Sequence, residues 1–178
     1  MELQILELQI LEQPIKKAMD YVKSLGADFA DIRYKNIQTE ETGVENGKLV
    51  KAQTEGSQGY GIRVYVKGAM GFAAASDLTK LRETTAEAVT IANASLTLLN
   101  APAVLDKKEP ATAHYQNPME IDPLSVPLKD KLELMLAIDK NLNVATGVVR
   151  SLVQFNFRKD HVVFADTDGS YIVQDFCQ

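Results

Sequence analysis

Two histidines, one cysteine and a short acidic loop are the residues here whose types could break a bond or hold a metal. His114 lies in a proline-rich stretch and His161 at the start of a predicted strand. Neither has a second His or a Cys at the spacing of a zinc site, and no HExxH pattern occurs. Both read as surface histidines. Cys177, the single cysteine, has no base near it in sequence that would make it a nucleophile. Asp166-Thr167-Asp168-Gly169 has the acidic alternation of a calcium loop, but its glycine comes two positions early and Cys177 stands where the closing Glu belongs. A tight hairpin turn accounts for it. Gly59-Tyr60-Gly61 opens a strand instead of joining a strand to a helix, so it makes no phosphate cradle and reads as room for close packing or a bulge. Ser76 reads as a helix cap, without the strained elbow or paired His of a nucleophile. On residue types and spacing, the catalytic, cofactor-binding and metal-binding sets of this chain are each empty.

The elements that would position such groups centre on Val44 to Ser76. Asn46-Gly47 predicts a type I′ hairpin, which needs positive φ at both central residues, and Gly56-Ser57 and Lys67-Gly68 predict two further reversals. Ile62, Val64 and Val66 alternate with Gly61, Arg63 and Tyr65, the period of a half-buried strand. An antiparallel meander of about three or four strands follows. Before it, Pro14 opens a predicted helix with Ile15, Met19, Val22 and Leu25 apolar and Gly26 as its stop, and Phe29 to Thr42 predicts a strand with Ala30, Ile32 and Tyr34 on one face. After it, Ser76 caps a helix that buries Leu78, Leu81, Ala88, Ile91 and Ala92 and ends near Ser95.

Five of the six prolines fall between Asn100 and Pro127, which predicts an extended surface connector. Pro127 then opens a third helix with Leu128, Leu132, Met135, Leu136 and Ile138 apolar. Strands follow at Val148 to Phe157, Val162 to Ala165 and Tyr171 to Phe176, with turns near Lys159-Asp160 and at Asp168-Gly169. The domain reading is an N-terminal extension over 1–13, where Glu2-Leu3-Gln4-Ile5-Leu6 repeats at once as Glu7 to Leu11. A helix–meander–helix unit takes 14–99, the Pro-rich connector 100–127, and a second, truncated helix–strands unit 128–178. Pro14 and Gly56 are 42 positions apart, as are Pro127 and Gly169, the mark of a candidate internal duplication. If it holds, the second copy stops before its last strand and leaves a sheet edge unpaired, able to take an extended peptide by strand addition. The fold class is α+β, antiparallel or mixed meander sheets packed with about three helices.

Composition narrows the partners. Net charge is −5 with no run of Lys or Arg, against the clustered cations that phosphate binding needs, so direct nucleic-acid contact is not expected. No apolar run reaches the roughly 20 residues of a membrane span. The N-terminus lacks the basic start of a signal peptide, and a lone cysteine fits a reducing compartment. The expected location is cytoplasmic.

Gly59 to Leu78, GYGIRVYVKGAMGFAAASDL, together with Ala27 to Arg33 and the Val44-Glu45-Asn46-Gly47 turn, resembles the N-terminal region of the TldD/PmbA family, also known as modulators of DNA gyrase. Ile121 to Leu128 and Phe164 to Gly169 agree, and the Gly-Ile-Arg-Val and Gly-Phe-Ala pieces look closer to the TldD branch. The resemblance covers about Ile15 to the end. It implies an α+β fold with internal duplication, and a cytoplasmic metalloprotease that cleaves peptides and unfolded polypeptides as a homo- or heterodimer. It also implies a zinc ion on a helical HExxxH motif and a distant Cys, with the Glu as general base on zinc-bound water. HExxxH occurs nowhere in this chain, and His114, His161 and Cys177 do not match those positions. The expectation is therefore the non-catalytic N-terminal domain of such a protease, inactive alone, with zinc in the missing C-terminal half. The alternative is a free-standing module that pairs with a catalytic family member as regulator or decoy. Continuation of the reading frame beyond Gln178 into HExxxH would favour the first.

Overall fold

Strand pairing sets the architecture. The computed structural model describes residues 2–106, 108–144 and 146–178, with side chains from Leu11 onward. In chain order the main elements are α1 (Glu2–Ser24), β1 (Phe29–Glu45), β2 (Lys48–Val66), β3 (Ala69–Ala75), α2 (Leu81–Ser95), β4 (Thr112–Gln116), α3 (Leu128–Leu142), β5 (Leu152–Asp166) and β6 (Tyr171–Cys177). The strands form one sheet in the order β3-β2-β1-β5-β6-β4. Thr167 N–H donates to the Ala30 carbonyl (2.9 Å) at one end of β1, and Asn46 N–H to the Ser151 carbonyl (3.1 Å) at the other, so β1 and β5 are antiparallel. Ala111 and Asn117 meet Tyr171 and Asp175 in ascending order, so β4 runs parallel to β6. The sheet is mixed and the fold is α+β.

The chain clusters into two compact units that interleave in sequence, Met1–Lys35 with Gln58–Tyr115 and Val162–Gln174, and Asn36–Ser57 with Gln116–His161 and Asp175–Gln178. In the first, α1 buries Leu11, Ile15, Ala18, Met19 and Val22, spaced as one helical face, against Ala30, Ile32 and Tyr34 of β1, Ile62, Val64 and Val66 of β2, and Val163, Ala165 and Val173. The alternation read in β1 and β2 is thus the core face. α1 ends in a Schellman pair: Ala27 N–H bonds the Val22 carbonyl, Gly26 N–H bonds that of Lys23, and Gly26 has φ +86°. β2 and β3 are antiparallel, with Val66 opposite Ala69 and Tyr60 opposite Ala75. α2 crosses β3 so closely that a Cβ on Gly71 would overlap the Ala88 carbonyl oxygen and the Ala92 amide. Tyr60 is buried with its hydroxyl 3.1 Å from that of Thr84.

In the second unit α3 packs Met135, with Leu132, Leu136 and Ile138, on Val44, Val153 and Phe155. Lys131 is buried, its ammonium bonded to both Glu40 oxygens (2.7 and 2.9 Å) and 5.3 Å from the Phe157 ring centre. A buried cation persists only where its charge is met this way.

Several expectations change. Pro14 lies inside α1, not at its start, because the backbone of both Glu-Leu-Gln-Ile-Leu copies is helical. Gly56-Ser57 is no reversal: Gly56 lacks a positive φ and lies beside the Ile37 carbonyl within an unbroken β2. Lys159-Asp160 is likewise no turn, because Arg158 exchanges two backbone hydrogen bonds with Gln178 and β5 runs on. The meander over Val44 to Ser76 therefore has three strands. Asp77, not Ser76, is the cap before α2; its carboxylate accepts from Thr79 N–H (2.9 Å) and opens a short 3-10 turn, Leu78–Lys80. Leu25, Ile91 and Leu128 are more than a third exposed, and Thr84 and Thr85 take buried places on α2. The Pro-rich stretch contains β4, which pairs with β6, so the sheet edge expected to stand unpaired there is covered. Helix, strand, turn and strand do recur as α1-β1-β2 and α3-β5-β6, but Gly56 sits mid-strand where Gly169 sits at a turn, so the alignment of the two glycines fails.

Candidate functional site

The second unit gathers its polar residues at the tip of the β1–β2 hairpin. Asn46 and Gly47 have φ +48° and +74°, the type I′ geometry read from the sequence. This turn leaves Asn46 Oδ1 accepting from Ser151 N–H (2.9 Å). Ser151 Oγ in turn donates to Asp139 Oδ1 (2.5 Å). Asn143 Nδ2 reaches Ser151 Oγ (2.7 Å), the Asp139 carbonyl (2.9 Å) and Asp139 Oδ2 (3.2 Å). Asp139 and Ser151 are only 3% and 5% exposed. A shallow groove of ≈ 620 Å³ is bordered by Asn46, Gly47, Leu136, Asp139, Lys140 and Asn143.

Chemically this is an acceptor-rich wall. Its carboxylate is held by a hydroxyl and an amide, and the Ser151 hydroxyl, which gives its proton to that carboxylate, is bonded by amides and not by an imidazole. The arrangement fastens the hairpin to α3, each of its acceptors already bonded within the cluster; it is not a nucleophile–base pair. Sequence reading passed over Asp139, although one signal was present: it falls four residues after Met135, on the apolar face of α3. Nearby, Arg150 forks onto Glu45 (2.9 and 3.0 Å) and thereby lowers the Glu45 pKa.

The residues singled out from sequence are dispersed. His161 is not a bare surface residue: its Nδ1 is 2.7 Å from Asp175 Oδ1 across β5 and β6, and both side chains are mostly covered. His114 lies in the exposed strand β4. Cys177 is tied through its backbone, with its N–H donating to Asn117 Oδ1 (2.8 Å) and Asn117 Nδ2 to its carbonyl (2.8 Å). Burial, then the Asp122 charge, push the Cys177 thiol up, against the opposing charge of Lys159. That favours the unreactive protonated form. Asp166 Oδ1 accepts from Ser170 N–H (2.8 Å), so 166–170 is a hairpin turn. Over Gly61 lies the Phe72 ring, and Gly59 is close beneath the Ala75 carbonyl, the close packing expected of them. Among the described residues no group of three or more His, Cys, Asp and Glu could hold a metal ion. Among the described residues no helix is long and apolar enough to cross a membrane.

The first unit shows a second feature. On the face of β1, β2 and β3 opposite their core residues, Arg63 Nε and Nη2 bond Asp31 Oδ2 (2.9 and 2.6 Å), an ion pair that raises the Arg63 pKa. Phe29 and Tyr65 pack at 6.3 Å, and Met70 and Phe72 stand about half exposed.

Comparison with known proteins gives these observations a context. Residues 30–92 match PmbA/TldA metallopeptidase domain 1. No curated protein sequence matches significantly. Among solved structures, a candidate modulator of a DNA gyrase from Thermotoga maritima superposes with TM-score 0.73 at 14% identity, over 93% of this chain and 37% of that one. A candidate modulator of DNA gyrase from Bacteroides thetaiotaomicron gives 0.70 at 15%, over 92% and 38%. TldE from Thermococcus kodakarensis gives 0.63 at 16%, over 92% and 37%. The chain thus spans well under half the length of these neighbours, and at such identities they establish fold alone. In sequence over residues 30–92, and in fold over nearly all its length, the chain resembles the N-terminal region of the TldD/PmbA family.

Proposed function

We propose that the chain serves as the non-catalytic N-terminal domain of a TldD/PmbA-type zinc metalloprotease whose full-length form cleaves peptides or unfolded polypeptides. The observation that carries this reading is the lopsided overlap: 92–93% of this chain corresponds to 37–38% of each larger neighbour, and the matched part is the first domain of a metallopeptidase. Zinc would sit outside these residues, since HExxxH does not occur in them; bound there, it would supply an activated water. This domain would shape the substrate cleft and the contacts between subunits of a homo- or heterodimer. The shallow groove bordered by Gly47, Leu136 and Lys140 is the recess of this domain that fits the first task. Cytoplasmic location and an absence of direct nucleic-acid or membrane contact belong to the same proposal.

Metal content and peptide hydrolysis by the purified chain test it. The expected result is no stoichiometric zinc and no turnover. Zinc bound one to one, with turnover abolished by a chelator, would overturn the non-catalytic assignment.

A further inference from the structure

The Asn46-Gly47 turn carries reactive chemistry as well as a shape. When the backbone nitrogen after an asparagine attacks that asparagine's side-chain Cγ, a cyclic imide closes and ammonia leaves. The attack needs an uncommitted N–H, little bulk beside it, and a carbonyl oxygen able to take up charge. Asn46 is the one asparagine of the sequence that is followed by glycine.

The hairpin tip meets each need. Asn46 and Gly47 are both exposed. Gly47 N–H makes no backbone hydrogen bond among the described residues, and a Cβ built on Gly47 would meet only Asp139 Oδ2, at 3.9 Å. Ser151 N–H donates to Asn46 Oδ1 (2.9 Å), which fixes that end of the side chain as the oxygen. Nδ2, the leaving group, then has no partner among the described residues. As Gly47 N adds to Cγ, negative charge grows on Oδ1, where the Ser151 N–H already points, a donor placed as in an oxyanion hole. Other asparagines lack this combination. Asn117 and Asn143 spend Nδ2 on carbonyls (2.8 and 2.9 Å), and Pro118, after Asn117, has no N–H to attack with. Asn100 is exposed but precedes Ala101.

We infer that Asn46 is a site of self-modification in the folded chain, and that its conversion unfastens the β1–β2 hairpin from α3. The bond from Gly47 N to Asn46 Cγ forms, the Cγ–Nδ2 bond breaks, and Nδ2 departs as ammonia with the proton that Gly47 gave up. Water then opens the imide at one carbonyl or the other, giving aspartate or isoaspartate. Both products put a new carboxylate beside the cluster that already holds the Asp139 charge. Isoaspartate also adds a methylene to the main chain, which the tight type I′ turn cannot absorb. The tip then lets go of Ser151, and with it of Asp139 and Asn143.

Incubation of the folded full chain in mildly alkaline buffer, followed by peptide mass spectrometry, tests this. The mass gain of an amide becoming an acid should arise at Asn46 faster than at Asn100 by about tenfold or more, given the donor at Oδ1. The converted fraction, separated by ion exchange, should lose hydrogen-exchange protection in the last turn of α3 and at Ser151, while β1 amides beneath α1 keep theirs. An Asn46 that converts no faster than Asn100 would overturn the proposal. So would conversion that begins only once urea unfolds the chain, or a converted fraction whose α3 amides stay as protected as before.

Discussion

Several single side chains in this chain hold the backbone: Asn46, Asp77, Asn117, Asp122 and Asp166 each bond a main-chain group. Asp122 is the clearest case. It accepts from Lys159 Nζ (2.7 Å) and from Leu124 N–H (3.0 Å), and these bonds lower its pKa, with Lys159 the larger cause. A carboxyl depressed by folding contributes stability that is present above its unfolded pKa of about 3.9 and is lost as pH falls through the folded value. Urea unfolding at stepped pH should therefore show wild type losing stability below about pH 4, with Asp122→Asn giving a flatter acid limb and lower stability at neutral pH. The pair is partly solvated, so the difference will be modest. His161 and Cys177 illustrate the limit of reading residues singly. Spacing told against a metal or a nucleophile at either, but it could not show that a cross-strand Asp175 and a reciprocal Asn117 amide would claim them.

At the level of elements, turn chemistry was the legible part. Asn46-Gly47, Lys67-Gly68 and Gly26 each demand positive φ, a local requirement written in residue type, and each is where the sequence places it. Gly56-Ser57 and Lys159-Asp160 misled because a polar or glycine-containing pair permits a turn without compelling one, and long ladders with β1 and β6 decided the outcome. Pairing partners distant in sequence leave no such local mark, which is why β4 was invisible among the prolines. Gly71 reports on element packing most directly. Gly71→Ala pushes a methyl into the α2 backbone at Ala88 and Ala92, where a helix cannot yield locally. It should cost about 1–3 kcal/mol, read as a lower urea midpoint at unchanged slope. Ala73, two residues along the same face, already accommodates its methyl and supplies the control: Ala73→Gly should cost less.

For the whole molecule, class and core were legible, since Ala30, Ile32, Tyr34, Ile62 and Val64 are buried as their alternation requires. The interleaving of the two units was not, because it depends on β1, β2, β4, β5 and β6 each lending residues to both. The bond between Ala30 and Thr167 has a consequence for how the chain matures. Strand β1 is made early, yet its hydrogen-bonding neighbour on one side emerges from the ribosome more than a hundred residues later. Until then β1 has a vacant flank and must wait, shielded or at risk of aggregation. A chain ended at Ala165, lacking both Thr167 and β6, should show no sharp urea transition by circular dichroism, whereas the full chain should. Contacts this distant in sequence also slow folding, so synthesis of this domain is a period of vulnerability that closes only with its last strands.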